Sequence, residues 1–120
     1  MENEKKLAES KLFTPYKLGS TTLRNRVIRS AAFESMGKDF APTQALKDYH
    51  VSVAKGGVGM TTVAYASINR SGISFNKQLW LRDEIVPALR DLTDAVHNEG
   101  AAVGIQLGHC GNMTHWSTAG

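Results

Sequence analysis

The sequence holds one cysteine, Cys110, among its 120 residues. That excludes an intramolecular disulfide and any cysteine-rich metal site, and no metal centre is expected. Long apolar runs are also missing. No stretch approaches the roughly 18 residues that a membrane span requires. The start, Met1 to Ser10, mixes charges of both signs and lacks the apolar segment of an export signal. Together these absences point to a reducing, cytoplasmic setting. A large excess of one charge is absent too, since 14 Lys and Arg face 11 Asp and Glu for a net charge of +3. Arg24, Arg26 and Arg29 lie near Lys17, but no aromatic residues interleave with them. The cluster reads as a solvated face, so neither nucleic acid nor membrane is expected as a partner.

What remains is the composition of an ordinary globular domain, 42% hydrophobic and 21% charged, which is enough to bury a core. Residues 1–11 read as a flexible tail or short surface helix with little to bury. From Leu12 the chain turns apolar. Pro15 blocks a helix and Gly19-Ser20 marks a turn, so residues 12–23 read as a hairpin or extended segment. Residues 26–32 read as a first short strand, and 33–41 as a loop. Thr43 then offers an N-cap hydroxyl, and Leu46, Tyr49 and Val53 gather on one helical stripe. Gly56-Gly57 ends that helix.

The uncharged run Val58 to Ala64 suits a strand buried on both faces of a parallel sheet. A long loop over 65–82 follows, of a length that usually signals function or structure of its own. The second helix is expected over 83–98. Asp83 and Glu84 suit its positive end, Pro87 fits its first turn, and Ile85, Ala88, Leu89, Leu92, Ala95 and Val96 form its buried stripe. Ala102 to Leu107 makes a third uncharged strand. Strand–helix alternation implies an α/β fold with a parallel sheet. A doubly wound nucleotide fold would carry a Gly-rich turn after its first strand, and Ser30-Ala31-Ala32-Phe33-Glu34-Ser35 has none. The sequence therefore predicts the N-terminal part of a (β/α)₈ TIM barrel, about three of its eight βα units.

Barrel sites form at the C-terminal ends of the strands, which selects Ser30 to Phe33, Ala64 to Ala66, and Gln106 to His109. Small residues dominate the first two and leave room for a flat ligand. Gln106 carries a donor and an acceptor on one amide, a match for a ring edge with N–H beside C=O. On spacing alone, satisfying loop backbone is the blander use of that side chain.

Five segments then resemble one family in order and approximate spacing. They are Leu12 to Gly19, Leu23 to Ala31, Lys55 to Gly59, Leu92 to His97 and Gln106 to Gly111. The resemblance is to the NADH:flavin oxidoreductase family that includes Old Yellow Enzyme. It implies a (β/α)₈ barrel holding FMN, with hydride passing from NADH or NADPH through the flavin to a small-molecule acceptor such as an electron-poor alkene. Residues 12–120 would be part of that FMN-binding domain, its C-terminal portion lying beyond Gly120. By position, the resemblance places Ser30, Ala31, Ala32 and Phe33 against the flavin. Ala64 and Tyr65 fall at the end of the second strand, and Gln106 pairs with the flavin pyrimidine. His109 is expected to be structural, and Cys110 a small buried residue. No catalytic residue is assigned. Many members carry Pro-Met and then Cys or Thr after the first-strand Ser, the last bonding the flavin carbonyl. Here Ala31-Ala32-Phe33 stands instead. Asn112 replaces a common Arg.

Two other readings compete. The chain could be a truncated, non-catalytic barrel fragment that associates with another chain or with itself, because three parallel strands leave free edges. It could also be an unrelated phosphate-binding barrel, against which only the ordered motifs argue.

Overall fold

A computed structural model describes residues 1–114 and 116–119. The chain opens with helix α1 (Glu2–Ala8), which buries no side chain. Strands β1 (Tyr16–Leu18) and β2 (Thr21–Leu23) then form an antiparallel hairpin, with Gly19 at φ +60° in its turn. Only glycine takes that left-handed conformation without steric cost.

The parallel sheet is built around β4 (Met60–Ser67). β3 (Ile28–Arg29) pairs with its beginning, β5 (Leu79–Trp80) with its end, and β6 (Ala102–Gly108) runs along its length. Helices α2 (Gln44–Lys55) and α3 (Val86–Asn98) connect the strands in the expected alternation, and α4 (Trp116–Ala119) closes the described chain. Among the described residues the sheet stays open, with β6 paired only to β4. This is a partial parallel barrel wall.

The helix limits follow their local chemistry. The Thr43 side chain accepts a hydrogen bond from the Leu46 amide and caps α2. A short 3₁₀ turn over Asp83–Ile85 leads into α3, whose first turn holds Pro87. The buried face of α2 is Leu46, His50 and Ala54, rather than the expected Leu46, Tyr49 and Val53. These three recur every four residues; Leu46 and Ala54 join Val63 and Ala66 of β4 and Leu92 and Val96 of α3 in the core, while His50 faces Thr61 and Glu34.

Three further expectations are corrected. The first strand is two residues long, not seven, because the Arg29 guanidinium bonds the Thr62 and Ala32 carbonyls beside it. The second strand runs on to Ser67, so Ala64 and Tyr65 lie inside β4 and not at its end. The supposed loop 65–82 contains the end of β4, a 3₁₀ turn (Arg70–Gly72) and β5. Gln78, only 1% exposed, organises this segment by accepting hydrogen bonds from the Ser74 amide, the Ser74 hydroxyl and the Phe75 amide.

Lys17, Arg24 and Arg26 are exposed, as expected of a solvated face, but the arginines also make specific contacts. Arg24 reaches from the β2–β3 connection to the Val58, Glu99 and Ala54 carbonyls at 3.1, 2.8 and 2.7 Å. It thereby ties the C-terminal ends of α2 and α3 to the approach to β4. Arg26 lies over the Tyr16 ring, and Arg29 over that of Tyr49.

Candidate functional site

Because β3, β4 and β6 are parallel, their C-terminal ends open toward the same side of the sheet. A hollow of about 310 Å³ lies there, lined by Tyr65, Ser74, Gln106, Leu107, Gly108, His109 and Cys110. That volume is at the bottom of the range of roughly 300–1,000 Å³ for ligand pockets.

Gln106 is exposed on this wall, and its side-chain amide bonds to none of the described residues. Its donor and acceptor therefore remain available to a ligand edge. Leu107 beside it is 53% exposed, an apolar side chain left largely open among the described residues. The Tyr65 ring lies 5.4 Å from the Phe33 ring, which stacks at 5.2 Å on Phe75. The chain thus brings Phe33, Tyr65 and Gln106 into one neighbourhood from three separate segments. Ser30 and Ala32 are exposed, Ala31 is half-buried, and Ala64 is buried behind the wall. Neither these four nor Phe33 lines the hollow itself; of the expected cofactor residues, Tyr65 and Gln106 do.

The Tyr65 hydroxyl is 2.5 Å from Ser74 Oγ, whose own proton goes to Gln78 Oε1. With that proton committed, Ser74 accepts and Tyr65 donates. The phenol is therefore turned into the protein's own hydrogen-bond chain. His109 is similarly occupied. Its Nδ1 accepts from the Gly111 amide at 3.0 Å, and Nε2 is 3.2 Å from Ser71 Oγ. A Cβ on Gly72 would lie 2.6 Å from the His109 ring, so glycine is needed for this contact. The histidine joins the turn after β4 to the turn after β6, as expected of a structural residue. Cys110 is half-buried, and its amide donates to the Gly72 carbonyl.

The sequence reading missed the polar cluster behind this wall. The Glu34 side chain is 1% exposed and accepts from Arg29 Nη1 at 3.0 Å and His50 Nε2 at 2.7 Å. His50, itself fully buried, places Nδ1 2.8 Å from Thr61 Oγ1. His50 was visible one turn after Leu46 on the core face of α2, which is the one signal that marked it. Among the described residues, no group of His, Cys, Asp and Glu is arranged to hold a metal ion.

Residues 11–118 match the sequence profile of the NADH:flavin oxidoreductase / NADH oxidase family, and the chain belongs to that family. It is 43% identical over 100 residues to a 4,4'-dithiodibutanoate disulfide reductase of Rhodococcus erythropolis, covering 83% of this chain and 25% of that protein. It is 40% identical over 106 residues to an NADPH dehydrogenase of Listeria welshimeri, covering 85% of this chain and 31% of that protein. Among solved structures, morphinone reductase in complex with tetrahydroNAD superposes with a TM-score of 0.79 at 26% identity. That match covers 89% of this chain and 29% of the reductase. The chain thus spans about a quarter to a third of the length of these relatives.

Proposed function

We propose that this chain supplies one flank of the FMN site of an NAD(P)H-dependent oxidoreductase of Old Yellow Enzyme type. The observation that carries the reading is Gln106, an unpaired amide on the wall of the hollow at the C-terminal side of a parallel sheet. Its N–H and C=O suit the alternating donors and acceptors of a flavin pyrimidine edge. Phe33, Tyr65 and Leu107 add flat and apolar surface for a ring system. Bound FMN supplies the relay of hydride from reduced nicotinamide to an electron-poor small-molecule acceptor such as an activated alkene.

The protein residues orient that cofactor and exclude water on this side. Ser30, Ala31 and Ala32 border the flavin along the segment after β3, and the buried Ala64 backs Tyr65. Phe33 brings no hydroxyl or thiol to the ring, so its contribution there is packing. The proton donor and the phosphate grip belong to other parts of the barrel. NADH and NADPH are both admitted as reductants, and the setting is cytoplasmic. No helix among the described residues is long and apolar enough to cross a membrane.

The test uses the full-length polypeptide, including any in-frame sequence after Gly120. It should purify yellow and oxidise NADH or NADPH with an alkene acceptor. A colourless protein that added FMN does not reconstitute sinks this reading. The 120-residue chain alone should bind little FMN, because it forms one wall only. A second reading, association without catalysis, is favoured by the open edge of β6 among the described residues and by the apolar hollow that Val103 and Ile105 of β6 form with Leu89 of α3. Sedimentation showing a folded, dilute monomer of this chain would refute it.

A further inference from the structure

The buried Glu34 cluster has a specific task at the wall of the hollow. Across the β4–β6 pairing, Val63 stands opposite Ile105 and Ala66 opposite Leu107. Two residues, Ala64 and Tyr65, therefore face the single residue Gln106. That is a β-bulge, a device that re-aims side chains beside functional sites. On the other side of β4, β3 pairs only as far as Thr61. The Ala64 amide consequently has no ladder partner, although Ala64 is only 5% exposed. A buried N–H left in that state is costly. Glu34 meets the need, with both carboxylate oxygens 3.2 Å from the Ala64 nitrogen. Arg29 and His50 hold the carboxylate from behind. Three donors thus converge on a group that can only accept.

We propose that Glu34 is a positioning residue of the cofactor cavity: clamped by Arg29 and His50, it pins the bulge that sets Tyr65 beside Gln106. The proposal rests on the flavin reading above for its consequence, but the clamp itself does not. The carboxylate ends on an amide of the bulge as well as on its charged partners, which ties the cluster to that irregularity.

The decisive variant is Glu34→Gln in the full-length polypeptide. Its carbonyl in the Oε1 place still serves Arg29 and His50 and keeps one arm of the Ala64 contact, while its NH₂ in the Oε2 place removes the other arm and sets a donor against the Ala64 N–H. Exchange of the Ala64 amide should accelerate by about tenfold, the effect of removing the charge and one arm of this hydrogen bond and facing the amide with a donor. The remaining amides of β4 and β6 should keep their protection. FMN affinity should fall by about tenfold, and the visible circular dichroism of the bound flavin should change. Glu34→Ala should exaggerate both effects, and if it does not fold, Glu34→Gln decides. Unchanged exchange at Ala64, or a uniform rise along both strands, overturns the proposal, the latter by showing a purely structural role. Unchanged flavin dichroism and affinity in Glu34→Gln overturn it as well. If the wild-type protein takes no FMN, the flavin reading fails by itself. The clamp is then judged by Ala64 exchange, where local acceleration supports it and none overturns it.

Discussion

Replacing Arg24 by Ala should cost the fold about 2 kcal/mol, even though the residue is exposed. Its guanidinium donates to the Val58, Glu99 and Ala54 carbonyls at 3.1, 2.8 and 2.7 Å. A hydrogen bond to a charged group contributes about 1.5–3 kcal/mol when sheltered. Water competes here, and ordering an arginine side chain loses about 2 kcal/mol of rotamer freedom. The planar fork loses that freedom once for all its bonds, which leaves a net near the stated value. Ala54 and Glu99 lie at the C-terminal ends of α2 and α3, so the positive charge also interacts favourably with two helix dipoles. Urea unfolding followed by far-ultraviolet circular dichroism should show the midpoint falling by about 1 M at an unchanged slope. Arg24→Lys should recover only part of the loss, since an ammonium group lacks the fork.

Gly100 supplies an internal control. It sits at φ +84°, and a Cβ there would lie 2.6 Å from Arg24 Nη1. Gly100→Ala in the wild type therefore combines left-handed strain of about 1–2 kcal/mol with displacement of the guanidinium. In an Arg24→Ala background only the strain remains, so the same substitution should cost about 1 kcal/mol less. Strict additivity of the two changes, or an Arg24→Lys protein as stable as the wild type, would refute the three-carbonyl clamp.

Arg24 also illustrates where a single sequence stops informing. The helices were legible because their signals are local: Thr43 caps α2, and Pro87 and Gly100 bracket α3 within a few residues of where they act. Strand alternation likewise placed β4 and β6 and the parallel order. The short length of β3 was not legible, because it depends on the Arg29 guanidinium meeting a carbonyl 33 residues away. β5 was hidden for a similar reason. Its two residues join the sheet only because β4 continues past Ala64 to offer Ala66 and Ser67 as partners. The candidate site divided along the same line. Gln106 was singled out by its chemistry near a strand end, and Phe33 and Tyr65 by family position. Glu34 was passed over because nothing local marks a carboxylate whose partners are 5, 16 and 30 residues distant. Polar residues used in long-range satisfaction look like surface until the fold is known.

Two further substitutions separate structure from function. Gly59→Ala should destabilise the fold by about 2 kcal/mol or more in the same urea assay. The new Cβ would lie 2.4 Å from the Asn25 carbonyl oxygen, and backbone there cannot move aside as a flexible side chain could. A Gly59→Ala protein as stable as the wild type would mean that the entry to β4 does not approach the hairpin connection so closely. Gln106→Leu should behave in the opposite way. The exposed Gln106 side chain makes no bond to the described residues, so its loss removes nothing from the fold, and the melting temperature of the apoprotein should not fall. In the full-length polypeptide the same change leaves the donor and acceptor of a ring edge unmatched. FMN affinity should then drop by about ten- to a hundredfold, the effect of one or two hydrogen bonds. Stability held constant while affinity falls is the signature of a residue kept for its ligand. If affinity is unchanged, Gln106 does not face the cofactor, and the wall between Tyr65 and His109 must serve something else.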